Sequence, residues 1–146
     1  VKSFLIPASQ VQQFWPAIKF ATTAVDNVSA EDRPKYLNKL IVELLNGKAQ
    51  CFVRLDDNRR LMAIAVTKIS TDELTEENIL FVSCLYSFEG VGSSQWNEDI
   101  KLLKDFASAR KCKRIIAYTA SKQVLELTAN MGFYERFRCI SLDLEV

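Results

Sequence analysis

The strongest constraint on the fold is a stretch in which almost every side chain is apolar: Ile79-Leu80-Phe81-Val82, then Ser83-Cys84-Leu85-Tyr86. The run does not alternate, so it reads as a central strand covered on both faces. Such a strand needs helices on either side, and the sequence supplies them. Before it, Tyr36, Leu37, Leu40, Ile41, Leu44 and Leu45 recur at helical spacing and stop at Asn46-Gly47. After it, Trp96, Ile100, Leu103 and Ala107 share one helical face, with Phe106 beside them. The expected class is therefore α/β, with a mixed sheet.

The remaining elements fall into place around these. Ser3 to Ile6 reads as a short strand ended by Pro7. Ser9 then caps a helix with Gln12 as its capping-box partner. That helix carries a ragged stripe of Val11, Phe14, Trp15, Ile18 and Val25, and Pro16 either kinks it or starts it. Ser29 and Asp32 cap the second helix, with Pro34 in its first turns. Gln50–Leu55 and Leu61–Ser70 form a hairpin through residues 56–60, and the acidic stretch 71–78 is an exposed connection. Arg114–Thr119 is a further strand. Ser121 caps a short helix that Gly132 ends. Arg138, Ile140, Leu142, Leu144 and Val146 alternate with Cys139, Ser141, Asp143 and Glu145, the pattern of a long C-terminal strand. The order is β-α-α-β-β-β-α-β-α-β. With no linker, repeat or low-complexity segment, residues 1–146 are expected to form one domain.

Composition removes several function classes. The formal net charge is +1, which gives no bulk attraction to nucleic acid or an anionic membrane. The basic run Arg110-Lys111-Cys112-Lys113-Arg114 fits a helix C-terminus, where cations meet the negative end of the dipole. No apolar run is long enough to cross a bilayer, and the first residues lack a signal-peptide layout. The four cysteines are far apart, without finger spacing. They read as free thiols in a reducing cytoplasm, and no metal site is expected. The chain has no histidine. Ser-His and Cys-His nucleophile pairs and His-based zinc sites are thereby excluded, and proton transfer falls to a carboxylate, Tyr, Cys, Lys, a terminus or water.

The element order resembles the GCN5-related N-acetyltransferase (GNAT) fold over nearly the whole chain. Gly90-Val91-Gly92-Ser93 is similar to the end of that family's Q/R-x-x-G-x-G/A signature. Cys112-Lys113-Arg114-Ile115-Ile116 is similar to its next strand, and Met131-Gly132-Phe133-Tyr134-Glu135 to its "G-F" turn. The resemblance implies a splayed central strand pair, with acetyl-CoA or another acyl-CoA in the gap. Cys84, Leu85, Tyr86 and Ser87 would face the pantetheine. Gly90, Val91, Gly92, Ser93 and Ser94 would cradle the phosphates at a helix N-terminus. The alternative is an ordinary strand-to-helix turn whose glycines serve backbone geometry alone.

The sequence departs from the family pattern in several places. Ser87 stands at the Q/R position. Residues 69–100 contain no Lys or Arg, yet hold Asp72, Glu73, Glu76, Glu77, Glu89, Glu98 and Asp99. Thr128 stands where many members carry a Tyr that protonates the leaving thiolate, and an aliphatic alcohol is too weak an acid for that work. Ser121 replaces a frequent Asn, and the span from Gly92 to Cys112 is long for the family. Tyr86 and Tyr118 are the candidate substitute acids, each set against a structural sheet tyrosine. Glu89 is a candidate base acting through water, set against an exposed loop acid. Cys84 as a nucleophile is set against a buried thiol.

Two functions follow. One is an acyl-CoA-dependent N-acyltransferase with an unknown small-molecule or protein amine as acceptor. The other is a GNAT-like module that has lost catalysis and binds a partner or itself, as a homodimer through its C-terminal strand. Another α/β fold with the same element count would lack a gap between the strands at 79–86 and 114–119.

Overall fold

A computed structural model describes residues 1–25, 28–88, 93–119 and 121–145. The elements, in chain order, are β1 (Lys2–Leu5), a 3₁₀ turn (Ala8–Gln10), α1 (Val11–Val25), α2 (Arg33–Asn46), β2 (Ala49–Leu55), β3 (Leu61–Thr71), β4 (Asn78–Ser87), α3 (Ser93–Ala109), β5 (Arg114–Ala117) and α4 (Lys122–Ala129). They follow the expected order as far as α4.

Local chemistry sets the boundaries. α2 has proline in its first turn and ends at Gly47, whose φ of 83° is the left-handed conformation that a side chain would strain. At its start the Ser29 hydroxyl donates to the Asp32 carboxylate at 2.9 Å. Ser121 caps α4, its Oγ accepting the Val124 N–H at 3.3 Å. α1 runs unbroken through Pro16. Pro16 and Gln12, whose carbonyl the proline leaves without its amide, are both exposed, on the side of the helix that faces away from the core.

The sheet order is β1-β2-β3-β4-β5. The first three pairings are antiparallel and β4–β5 is parallel. One face packs under α1 and α2: Cys51, Val53, Ile64, Val66 and Cys84 meet Val11, Ile18, Ala21, Leu40 and Leu44. The other packs under α3: Phe52, Ala65, Leu80 and Val82 meet Ile100, Leu103 and Ala107. Each large aliphatic side chain buried here contributes about 1.5–3 kcal/mol relative to exposure.

The apolar run in β4 now has its explanation. Val82 belongs to the α3 side and Cys84 to the α1/α2 side, although residues two apart in a regular strand share a face. Between them Val66 pairs with Cys84 and Thr67 with Val82, so Ser83 is an extra residue. This β-bulge shifts the phase of the strand midway along it.

The expected C-terminal strand does not form. Residues 133–145 carry no strand pairing. Alternation fixes which side chains share a face, but a strand exists only through a partner backbone. Among the described residues none pairs with this segment as a strand.

Candidate functional site

β4 and β5 pair from Ile79↔Arg114 to Val82↔Ala117, and there the pairing stops. β4 continues to Ser87, still held on its other side by β3 up to Ala63↔Ser87. Beyond Val82, therefore, Cys84, Leu85 and Tyr86 have no β5 strand partner among the described residues. Their β5-facing edge is a row of backbone donors and acceptors able to pair with an extended ligand carrying amides. The bulge lies at the head of this gap, and bulges bend the strand that carries them.

Tyr36 on α2 braces the same point, its hydroxyl hydrogen-bonded with that of Ser83. Burial pushes the Tyr36 phenol above its ordinary value of 10.0, and the Ser83 hydrogen bond opposes part of the rise. Ser83 Oγ also donates to the Val66 carbonyl at 3.3 Å.

α3 begins at Ser93, shortly after β4 ends, and a helix start offers amide hydrogens without intrahelical partners. The expected phosphate-loop residues Gly90, Val91 and Gly92, and the candidate base Glu89, lie outside the described residues. Of Ser93 and Ser94 the backbone is described, within α3.

A buried ion pair anchors α3 to the sheet. Arg54, 2% exposed, bonds through Nη1 to Asp99 Oδ2. The other Asp99 oxygen accepts the Ser3 hydroxyl at 2.8 Å, and the Arg54 guanidinium lies 5.8 Å from the Trp96 ring centre. Burial raises the Asp99 carboxyl above the ordinary 3.8, with Ser3 and Arg54 opposing the rise. Beside the pair is a cavity of about 20 Å³, lined by Phe52, Ala63, Leu85 and Leu102 among others, with room for one water. Sequence reading missed both anchors. Arg54 was visible as one charge in the otherwise apolar run Cys51-Phe52-Val53-Arg54-Leu55, and Tyr36 was indistinguishable from an ordinary stripe residue.

The acidic stretch opposes a phosphate less than its charge count suggests. Asp99 is committed to Arg54. Asp72 Oδ2 lies 3.2 Å from Arg136 and 4.0 Å from Arg114, and Arg114 is 3.6 Å from Glu77. The loop carrying Asp72, Glu73, Glu76 and Glu77 precedes β4, whereas the gap begins about 17 Å further along that strand, at Ser83, and the strand ends at Ser87, about 30 Å along. The Debye length is only about 8 Å at physiological salt.

The named site residues separate into two groups. Leu85, Tyr86 and Ser87 lie along the open edge, with Cys84 at its head. The Cys84 side chain is buried in the core, and its thiol is pushed up to about 12 by that burial, so it is no nucleophile. The Tyr86 ring packs edge-on with Phe88 at 5.0 Å and with Phe20 at 5.9 Å, on the α1 side. Tyr118 directly follows β5, on the opposite wall. It is 74% exposed, with its ring 5.0 Å from Phe81. Thr128 donates to the Val124 carbonyl at 2.7 Å and is occupied within its own helix. An open groove of about 610 Å³ adjoins β1, at the other edge of the sheet, and includes none of these residues. Among the described residues there is no cluster of three His, Cys, Asp or Glu able to hold a metal, and no helix is long and apolar enough to cross a membrane.

Several solved acetyltransferases superpose on this chain over nearly its whole length. The chain has the GNAT acetyltransferase fold. A predicted acetyltransferase from Clostridium acetobutylicum, solved with acetyl-CoA, superposes with a TM-score of 0.75 over 97% of this chain and 95% of its own, at 13% identity. The aminoglycoside 6'-N-acetyltransferase of Acinetobacter baumannii gives 0.71 over 99% and 98%, at 12% identity. The ribosomal-protein-alanine N-acetyltransferase of Brucella melitensis biovar Abortus 2308 gives 0.69 over 99% and 100%, at 14% identity. No protein-family model matches the sequence, and comparison with curated proteins returns no match. At these identities the GNAT likeness is one of fold, and the chemistry has to be argued from this chain's residues.

Proposed function

We propose that this GNAT-fold chain is an acyl-CoA-dependent N-acyltransferase that moves an acetyl or other short acyl group to an amine. One observation carries the reading: the pairing of β4 with β5 ends at Val82↔Ala117, while β4 itself runs on to Ser87. The β4 edge beyond Val82 fits the two amides of a pantetheine arm, and the amide hydrogens at the α3 start fit a diphosphate. When bound, the coenzyme supplies an activated thioester. Ser83 to Ser87 orient the arm by main-chain hydrogen bonds, and Tyr36 and Arg54 hold the two elements that frame it. Tyr118 holds a proton at its phenolic oxygen on the wall opposite β4, and is our assignment for the acid that Thr128 does not provide. Glu89 is the carboxylate the sequence offers to take a proton from the amine through water.

Calorimetric titration with acetyl-CoA, followed by thiol-release assays against a panel of primary amines, tests the proposal. Binding heat and amine-dependent thiol release are expected. Neither heat nor a thermal shift at millimolar coenzyme would remove it.

A second reading has its own observation. Thr128 stands at the family's tyrosine position and spends its proton on its own helix. A domain that binds coenzyme yet releases no thiol with any amine would be a GNAT-fold binding module.

A further inference from the structure

We propose that the acceptor is a primary amine joined through a short alkyl linker to an aromatic ring, and that the ring docks against Phe20 and Tyr86 on the α1/α2 face of the gap. The inference rests on the N-acyltransferase reading and adds to it the class of the acceptor.

Strand alternation places the rings. Leu80 and Val82 pack under α3, so Phe81 between them points to the α1/α2 face. The Tyr118 ring lies 5.0 Å from that of Phe81 and is therefore on the same face. After the bulge at Ser83, Cys84 belongs to the α1/α2 core, and Tyr86 and Phe88 pack against that core. Phe20 of α1 completes the group, its ring 5.9 Å from both Tyr86 and Phe88. The proposed acid and the aromatic group thus share one face, on the two sides of the stretch where β4 has left β5. The opposite face is covered, because Leu80, Val82 and Leu85 pack with Ile100 and Leu103 of α3. An amine therefore reaches a thioester in the gap from the aromatic side.

The rings are open to a ligand there. Phe20 is 57% exposed although it touches two other rings, so apolar surface stands uncovered beside the reacting centre. Charge narrows the occupant. A polyamine or aminoglycoside brings several ammonium groups and needs carboxylates. α1 contains no Asp or Glu, and α2 contains one, Glu43, which Lys68 holds at 2.5 Å. An amino sugar would set hydroxyls against ring edges, at a desolvation cost. An aromatic ring instead adds one more edge-on or offset contact to a cluster already built that way. Length agrees. Tyr86 lies three residues past Ser83, about 10 Å at strand rise, a span that a ring, a short linker and one ring-to-ring contact cover.

In the transfer the amine nitrogen bonds to the acyl carbon, and the C–S bond breaks with its electron pair on sulfur. Nitrogen loses one proton to water. Tyr118 gives one to the thiolate and recovers it from water, leaving an amide and a free thiol.

The probes are 2-phenylethylamine and tryptamine, compared with ethylamine, spermidine, glucosamine and a peptide with a free N-terminus. Calorimetry on the whole chain establishes acetyl-CoA binding, and thiol release then ranks the amines. The two arylalkylamines should exceed the others in kcat/KM by roughly tenfold or more. Phe20→Ala should raise KM for 2-phenylethylamine about tenfold with kcat held, and Phe20→Trp should restore it. The thermal midpoint of Phe20→Ala should hold, because that side chain is more than half exposed. Coenzyme binding with faster thiol release from spermidine, glucosamine or the peptide would overturn the acceptor class and leave the transferase reading standing. Arylalkylamine turnover indifferent to Phe20→Ala would overturn the docking site. Absence of coenzyme binding would overturn both the reading and the inference.

Discussion

The Tyr36 hydroxyl on α2 is hydrogen-bonded to Ser83, the residue at which β4 bulges and parts from β5. A helix on one face of the sheet thus braces the head of the gap. Tyr36→Phe removes one hydrogen bond from a half-buried pair, and a loss of about 0.5–1.5 kcal/mol in urea unfolding is expected. Weaker acetyl-CoA binding in calorimetry should accompany it, because the strand edge that the pantetheine pairs with loses its brace.

Arg54 and Asp99 bind α3 to the sheet. Asp99→Ala leaves the guanidinium buried without a counter-charge, and a destabilisation of about 3–5 kcal/mol is expected in the same experiment. The double variant Arg54→Met with Asp99→Leu should be markedly more stable than Asp99→Ala, since it removes both charges and keeps the volume.

Tyr118 is exposed, so Tyr118→Phe should leave unfolding free energy within about 0.5 kcal/mol of wild type. If its phenol is the acid for acyl transfer, kcat with a competent amine should fall by roughly 10²–10⁴ while acetyl-CoA affinity holds. An unchanged kcat would remove Tyr118 from the proposed chemistry.

The four cysteines should react in an order set by burial. Cys139 is exposed and Cys112 half-buried, whereas Cys51 and Cys84 are buried with thiols pushed up to about 12. A thiol-reactive dye at neutral pH should label Cys139 first and Cys112 more slowly. Cys51 and Cys84 should react only on unfolding, as peptide mapping would show.

Asp72 gives a pH signature. Its carboxylate accepts the Leu74 N–H at 2.9 Å and the Thr75 N–H at 3.3 Å, and Arg136 adds its charge. The Leu74 hydrogen bond is the largest influence, and together these hold the group below its ordinary 3.8. The folded state therefore prefers the ionised form. The stabilisation is present above 3.8 and is lost as pH falls through the lower folded value. Asp72→Asn should show its largest stability deficit at neutral pH and a shrinking one below about pH 4. Asp99, raised by burial, works the other way: its contribution is present below 3.8 and is lost as pH rises through the folded value.

Much of this molecule is legible in the order of its residues. The helical stripe from Tyr36 to Leu45, the stop at Gly47, the cap at Ser121 and the apolar run at 79–86 each name their element, because 3.6-residue spacing, a left-handed glycine and a serine side chain are local properties. Local rules left two readings at Pro16, and α1, already helical from Val11, excludes the one in which the proline starts the helix. They failed at residues 138–145, where a strand pattern has no strand pairing.

The sequence alone determined the class of fold, the element order as far as α4, and the exclusion of histidine chemistry. Tertiary structure decided where β4 leaves β5, that Ser83 is the bulge, that Arg54 finds Asp99, and that Tyr36 finds Ser83. The reason is separation along the chain. Each of these contacts joins residues tens of positions apart, and no periodicity within one segment encodes which distant segment will lie against it. Pairing register, buried counter-charges and an unpaired strand edge come into being only when the chain has closed around its core.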